Sequence, residues 1–110
     1  MILSQNGNTS IITQEKATLI ELVKKIQVLY PKFKNNNIVV NLTSLGAIQK
    51  EEVIEFLQLS NNHRQAKHSF VIVSNKINLD TSLDDLIIVP TLQEAYDMIE
   101  MEDMERDLGL

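Results

Sequence analysis

Three runs of apolar, mostly β-branched residues constrain the fold of this chain most strongly. They cover residues 38–42, 70–73 and 86–89. None of them alternates enough to expose one face, which is typical of parallel strands that helices cover on both sides. The segments between the runs have apolar residues at the three- and four-residue spacing of amphipathic helices. Because parallel strands need such crossover helices, the pattern predicts an α/β fold.

The N-terminal residues predict a β-hairpin. Two short apolar-rich runs, at residues 1–4 and 10–14, flank a polar turn that contains Asn6 and Gly7. The Asn-Gly dipeptide accepts the positive φ angles that two-residue hairpin turns require. Two strands are therefore expected before the first helix.

The remaining segments complete the predicted order β-β-α-β-α-β-(short α)-β-α. Helical patterns cover residues 18–32, 50–64 and 91–108, and a single helical turn is expected within residues 77–86. With the hairpin, this order predicts a mixed, mostly parallel β-sheet packed against helices. The length of 110 residues suits a single domain, 1–110, that ends in an acidic helix.

Composition argues against several kinds of site. The chain has no cysteine, which excludes disulfides and thiolate zinc sites and is compatible with a cytoplasmic location. No apolar run approaches the roughly 18 residues of a membrane-spanning helix, so no membrane contact is expected. His63 and His68 are five residues apart, which is not the spacing of two metal ligands on one helical face. We predict that both histidines lie on the surface, and we expect no metal, no cofactor and no enzymatic activity.

The negative charge is concentrated near the C-terminus. Residues 91–110 contain seven acidic residues and one basic residue, a charge of −6, whereas the preceding ninety residues carry +1. Nucleic-acid-binding surfaces are normally basic, so a nucleic-acid partner is not expected. Met98, Met101 and Met104 recur at every third position of the predicted acidic helix. They either pack within the molecule or form a docking face for another protein or for a homodimer.

The candidate site is the strand-loop-helix unit of residues 38–57. In an open α/β sheet, binding sites lie at the carboxyl ends of the strands, where loops of this kind are placed. The residues expected at the site are Asn41, Thr43, Ser44, Gln49, Lys50, Glu51 and Glu52. Thr43 and Ser44 are either hydroxyl groups that could be phosphorylated or simply small loop residues.

The element order and several local sequences resemble the STAS domain, the fold of bacterial anti-sigma-factor antagonists. Residues 39–42, Val-Val-Asn-Leu, are similar to the end of the family's central strand, with Asn41 where the family usually has Asp. Residues 69–73 and 86–95 are similar to the following strand and to the final strand-to-helix passage. The resemblance covers nearly the whole chain. It implies a regulatory, non-catalytic module that binds another protein, such as an anti-sigma-like factor.

The resemblance also implies a phosphorylation switch that this chain lacks. In the family an Asp-Ser-Ser-Gly motif, or a Thr variant of it, opens the helix after the central strand. By position that motif falls on residues 49–52, which read Gln-Lys-Glu-Glu and contain no hydroxyl group. Glu51 occupies the place of the phosphoacceptor. Its charge either mimics a phosphate or is only favourable in the first turn of a helix.

The tail of the chain suggests an alternative function. Residues 100–109 are similar to those of short STAS-like proteins of Bacteroidetes-type bacteria, which are sometimes labelled ribonuclease Z. That hydrolase needs two zinc ions and a His-x-His-x-Asp-His cluster, which this sequence does not contain. The alternative is therefore an accessory protein linked to tRNA processing, or a protein that binds RNA or a small ligand.

Overall fold

A computed structural model describes residues 1–15, 18–46, 48–76 and 86–109, apart from the Lys50 side chain. Within these ranges the chain forms one mixed sheet with the strand order β1-β2-β3-β4-β5. The strands are β1 (Ile2–Asn6), β2 (Thr9–Thr13), β3 (Asn37–Asn41), β4 (Phe70–Val73) and β5 (Ile87–Val89). β1 is antiparallel to β2, and the other neighbouring strands are parallel. The predicted α/β class, with a mostly parallel sheet, is confirmed.

The N-terminal hairpin is present, with its turn one residue later than predicted. Asn6 pairs with Thr9, so the two-residue loop consists of Gly7 and Asn8. Gly7 has a φ of +60°, and it is the loop residue with a positive φ. A positive φ at the first loop position is the requirement of a type II′ turn, which matches the right-handed twist of the two strands.

The first and last helices begin at the predicted threonine caps. They are α1 (Leu19–Phe33) and α4 (Leu92–Asp107). The Thr18 hydroxyl accepts a hydrogen bond from the Glu21 amide at 3.2 Å, and α4 begins in the same way at Thr91. α1 continues past Pro31 to Phe33, whose side chain is buried in the core. α1 therefore ends one residue beyond the predicted range 18–32, where the Phe33 side chain packs into the core.

The predicted helix 50–64 is divided into three parts. It consists of α2 (Lys50–Val53), a 3₁₀ turn (Ile54–Phe56) and α3 (Leu57–Gln65). In a 3₁₀ turn, residues three apart lie directly above each other. Val53 and Phe56 therefore both point into the core, while Ile54 is turned outward and is 40% exposed. The apolar pattern of residues 50–64 predicts that Ile54 faces inward, and this prediction is wrong.

Each face of the sheet has its own apolar cluster. On one face, α1 and the helical segment 50–65 cover residues such as Ile12, Val40 and Ile72. On the other face, α4 packs Ala95 and Ile99 against the alternate residues of β3, β4 and β5. Coverage of both faces explains why the strands β3 and β4 are continuously apolar.

Two further predictions concern the helical segments. The helical turn expected within residues 77–86 falls almost entirely on residues 77–85, which lie outside the described part of the chain. In the described part, no helix is long and apolar enough to cross a membrane.

Candidate functional site

The loop after β3 lies at the carboxyl edge of the sheet, as predicted. Asn41 ends β3, and its side-chain oxygen accepts hydrogen bonds from the Thr43 amide at 3.1 Å and from the Thr43 hydroxyl at 2.8 Å. An Asn side chain that bonds the backbone two residues later forms an Asx turn. The next amide, that of Leu42, donates to the Val73 carbonyl of β4 at 2.8 Å. The start of the loop is thus fixed to two neighbouring strands.

Lys76, just beyond β4, holds the middle of the same loop. Its ammonium group donates to the carbonyl oxygens of Leu45, at 2.7 Å, and of Thr43, at 3.3 Å. Both bonds engage the backbone, so the side chains of Thr43 and Ser44 stay exposed. The loop therefore presents two hydroxyl groups from a backbone whose position is already determined.

The two acidic residues at the start of α2 have different environments. The Glu52 carboxylate accepts a hydrogen bond from the Gln49 amide at 3.2 Å, which caps the helix that begins at Lys50. Glu52 is half-buried, whereas Glu51 is exposed. An exposed carboxylate in the first turn is stabilised by the partial positive charge of the helix N-terminus. Glu52 is therefore a structural residue, and Glu51 can contact a partner.

The exposed surface continues along the helical segment. The carboxyl-edge face, as we name it, consists of the exposed side chains of Thr43, Ser44, Gln49, Glu51, Ile54, Glu55 and Gln58. Sequence reasoning missed its apolar member, Ile54, because the sequence does not reveal the 3₁₀ turn that rotates this side chain outward. The face combines hydroxyl and amide groups, two negative charges and one aliphatic side chain.

The histidines are not part of this face, and the prediction that His63 lies on the surface is wrong. His63 is fully buried near the end of α3. Its Nε2 lies 2.7 Å from the Asn36 carbonyl oxygen, and its Nδ1 lies 2.6 Å from the Tyr30 hydroxyl. Since a carbonyl can only accept, Nε2 carries the proton, and in the neutral ring Nδ1 accepts from Tyr30.

The surroundings of His63 favour its neutral form. Burial lowers the pKa of His63, the bond to the Asn36 carbonyl opposes this shift, and the His68 ring lowers the pKa further. The two imidazole rings are stacked with centroids 5.3 Å apart. Burial also raises the pKa of the Tyr30 hydroxyl, which therefore stays protonated and able to donate. This cluster joins the C-terminal ends of α1 and α3.

A second polar cluster ties α4 to the amino edge of the sheet. The Asn37 side chain accepts from the Ser69 amide at 2.9 Å and donates to Asp103 at 3.4 Å. Arg106 bonds both the Ser69 hydroxyl, at 3.0 Å, and Asp103. These bonds hold α4 to the starts of β3 and β4.

Arg64 of α3 also holds α4, through an ion pair with Glu102 at 2.5 Å. The sequence has a basic run here, His63, Arg64, Lys67 and His68, and α4 engages its Arg64. In the described ranges, no three His, Asp or Glu residues are grouped closely enough to hold a metal ion.

The sequence left open whether the methionines of α4 pack within the molecule or form a docking face, and the structure has methionines in both environments. Met98 packs against the core, whereas Met101 and Met104 are exposed. Leu108, just after α4, is exposed as well. The outer side of the acidic helix therefore has three accessible apolar side chains.

Comparison of the sequence with known protein families gave no match, and comparison with curated proteins gave none either. Any function proposed for the chain therefore rests on its own sequence and structure.

Proposed function

We propose that this protein is a regulatory, non-catalytic interaction module of the STAS type that acts in the cytoplasm. It binds another protein, such as an anti-sigma-like factor, through the carboxyl-edge face. The observation that carries the proposal is the position of Glu51. It is exposed in the first turn of the helix that follows the loop after β3, the middle strand of the sheet. In STAS proteins this position belongs to the phosphoacceptor.

The loop after β3 has a fixed backbone conformation, and this supports a role in binding. The Asx turn at Asn41 and the two bonds from Lys76 fix the backbone before any partner arrives. A surface that is already ordered loses less conformational entropy on association. Ile54 supplies an apolar contact of the kind that lies at the centre of many interfaces, and the polar residues around it can form the rim.

Glu51 replaces a phosphorylatable group by a permanent charge. A carboxylate has one negative charge and two oxygens, whereas a phosphate has nearly two charges and three oxygens. The substitution makes the state of the module independent of phosphorylation at this position. Replacing Glu51 by Gln separates the two roles that the sequence leaves open. If the charge mimics a phosphate, the affinity for the partner changes; if Glu51 only favours the helix, the affinity stays within about twofold.

The experiment has two stages. The tagged protein is used to isolate binding proteins under native conditions, and the strongest candidate is then purified and titrated by calorimetry. We expect Ile54→Arg to weaken binding at least roughly tenfold, because a charge replaces an apolar contact. Met104→Arg is the matched control, since Met104 is also an exposed apolar residue but lies on α4.

The two variants distinguish the possible binding faces. Loss of binding with Ile54→Arg alone supports the carboxyl-edge face. Loss with Met104→Arg alone assigns the partner to the acidic helix and overturns the proposed site. A purified candidate that binds both variants as tightly as the original chain overturns both faces.

A further inference from the structure

A groove runs between the edge strand β1 and helix α1. Among the described strands, β1 pairs with β2 alone, and all five of its residues are exposed. A recess of about 350 Å³ lies between Met1 and the α1 residues Lys24, Lys25, Val28 and Leu29. Further along the helix, a second recess of about 290 Å³ lies beside Leu3, Lys32 and Phe33. We name these two recesses together the α1 groove.

The α1 groove is lined by apolar and basic side chains, and by the polar side chains of Ser4, Gln5 and Ser10 in its second recess. Val28 is 78% exposed, the largest value among the exposed large hydrophobic residues of the described chain. Lys24, Lys25 and Lys32 line the two recesses. Lysine side chains of this kind cover apolar surface with their aliphatic stems and keep their charges in water.

The outer side of α4 has the complementary character. Met101, Met104 and Leu108 are exposed on it, with Met104 at 59%. Exposed acidic residues surround them, namely Asp97, Glu100, Glu105 and Asp107. We name this surface the α4 face. α1 and α4 have similar lengths, 15 and 16 residues, so the two surfaces can meet over several helical turns.

We propose that the α4 face of one copy of this chain docks into the α1 groove of a second copy. Charge selects this arrangement over the symmetric ones. Groove against groove would bring the lysines of two copies together, and α4 face against α4 face would bring their acidic residues together. Like charges across an interface are repelled, whereas the groove and the α4 face attract each other and both contain apolar surface.

The two surfaces lie on opposite faces of the sheet. α1 packs on one apolar cluster of the sheet and α4 on the other. A contact between two different surfaces is heterologous, so each copy keeps one free groove and one free α4 face. The protein therefore assembles head to tail, into rings if the rotation closes and into chains if it does not. The carboxyl-edge face contains no residue of either surface.

The test is the mass of the protein in solution, measured by light scattering and sedimentation. At low salt the average mass should rise with concentration above the monomer mass of 12.5 kDa. At about 0.5 M salt, where charges more than ~4–5 Å apart are screened, this rise should be much smaller. A protein that remains monomeric at millimolar concentration and low salt overturns the proposal, as does association that salt leaves unchanged.

Two variants, each with one docking surface disabled, test whether the contact is head to tail. Val28→Glu places an acid in the groove, and Met104→Lys places a base on the α4 face. Both sites are largely exposed, and circular dichroism melting verifies that each variant folds. Each variant alone should be monomeric. An equimolar mixture should associate again, because each partner supplies the surface that the other lacks.

Other results contradict head-to-tail docking. If either variant alone associates like the original chain, its surface is not part of the contact. If the mixture stays monomeric, the two surfaces do not bind each other. Ile54→Arg is the matched control and should associate like the original chain. Ile54 belongs to the carboxyl-edge face and to neither docking surface. A failure of self-association therefore does not contradict the proposed function, and a failure to bind another protein does not contradict self-association.

Discussion

Acid should destabilise this protein because His63 is buried in its neutral form. Burial lowers the pKa of His63 in the folded chain, whereas the unfolded chain binds the proton with a pKa of about 6.5. Below that pH the unfolded state takes up a proton that the folded state does not. The stabilising contribution is therefore complete above about pH 6.5 and decreases as the pH falls toward the lowered folded-state value.

The loss of stability at low pH can be calculated from the one proton that His63 takes up when the chain unfolds. The loss at pH 5.5, one unit below the unfolded-state pKa, is at most about 1.4 kcal/mol, the value for a His63 that takes up no proton in the folded chain. Protonation would also turn Nδ1 from an acceptor into a donor facing the Tyr30 hydroxyl. Most carboxylates titrate at lower pH, so the range from pH 7.5 to 5.5 reports mainly on histidine.

The assay is urea unfolding at several pH values, with two variants beside the original chain. His63→Gln removes the titrating group, so it should be less stable at pH 7.5 but should lose little further stability by pH 5.5. His68→Gln is the matched control, because the chain contains two histidines, and it should keep most of the pH dependence. A flat profile for the original chain, or an unchanged slope in His63→Gln, would refute the assignment of a buried neutral His63.

Three further substitutions should have smaller or opposite effects on the urea midpoint. Ser60→Ala should raise stability by about 1 kcal/mol, since the buried Ser60 hydroxyl has no hydrogen-bond partner among the described residues and Ala is the better helix former; a lower midpoint would contradict this. Tyr30→Phe should lower stability by about 1–2 kcal/mol, because it removes the donor to His63; an unchanged midpoint would mean that the bond contributes little. Glu51→Ser should change stability by less than about 0.5 kcal/mol, as expected for an exposed residue; a larger loss would show that Glu51 has a structural role.

The strands and most helices were predictable because their signals are local. The continuous apolar runs predict strands that are buried on both faces, and Thr18 and Thr91 mark where two helices begin. The hairpin turn was displaced because Asn6 takes part in strand pairing with Thr9, and strand register depends on the partner strand. The 3₁₀ turn at Ile54 likewise results from packing against the core, which no local pattern reveals.

The place of the loop after Asn41 in the fold was predictable, but the environment of its side chains was not. The rule that sites lie at carboxyl strand ends was enough to locate the loop after Asn41. The prediction for His63 is wrong because neither its spacing from His68 nor its place near a helix C-terminus shows whether the side chain is buried. Its spacing from the buried residues Val53, Phe56 and Leu59 continues the inward face of the helical segment, and this signal was present in the sequence. The Lys76 bonds join residues more than thirty positions apart, so only the structure shows them.

Several polar side chains at the amino edge of the sheet are buried, whereas those of the carboxyl-edge face are exposed. This difference favours the carboxyl edge as the place where a partner binds. At the amino edge His63, Asn37 and Ser69 are buried, and their polar atoms bond within the chain. A partner could reach them only after those bonds had broken, which would leave buried polar groups unsatisfied. At the carboxyl edge the two Lys76 bonds engage backbone carbonyls, so the exposed side chain of Ser44 is available to contact another molecule. Substitutions at the amino edge should therefore lower stability, whereas substitutions on the carboxyl-edge face should lower binding at nearly constant stability.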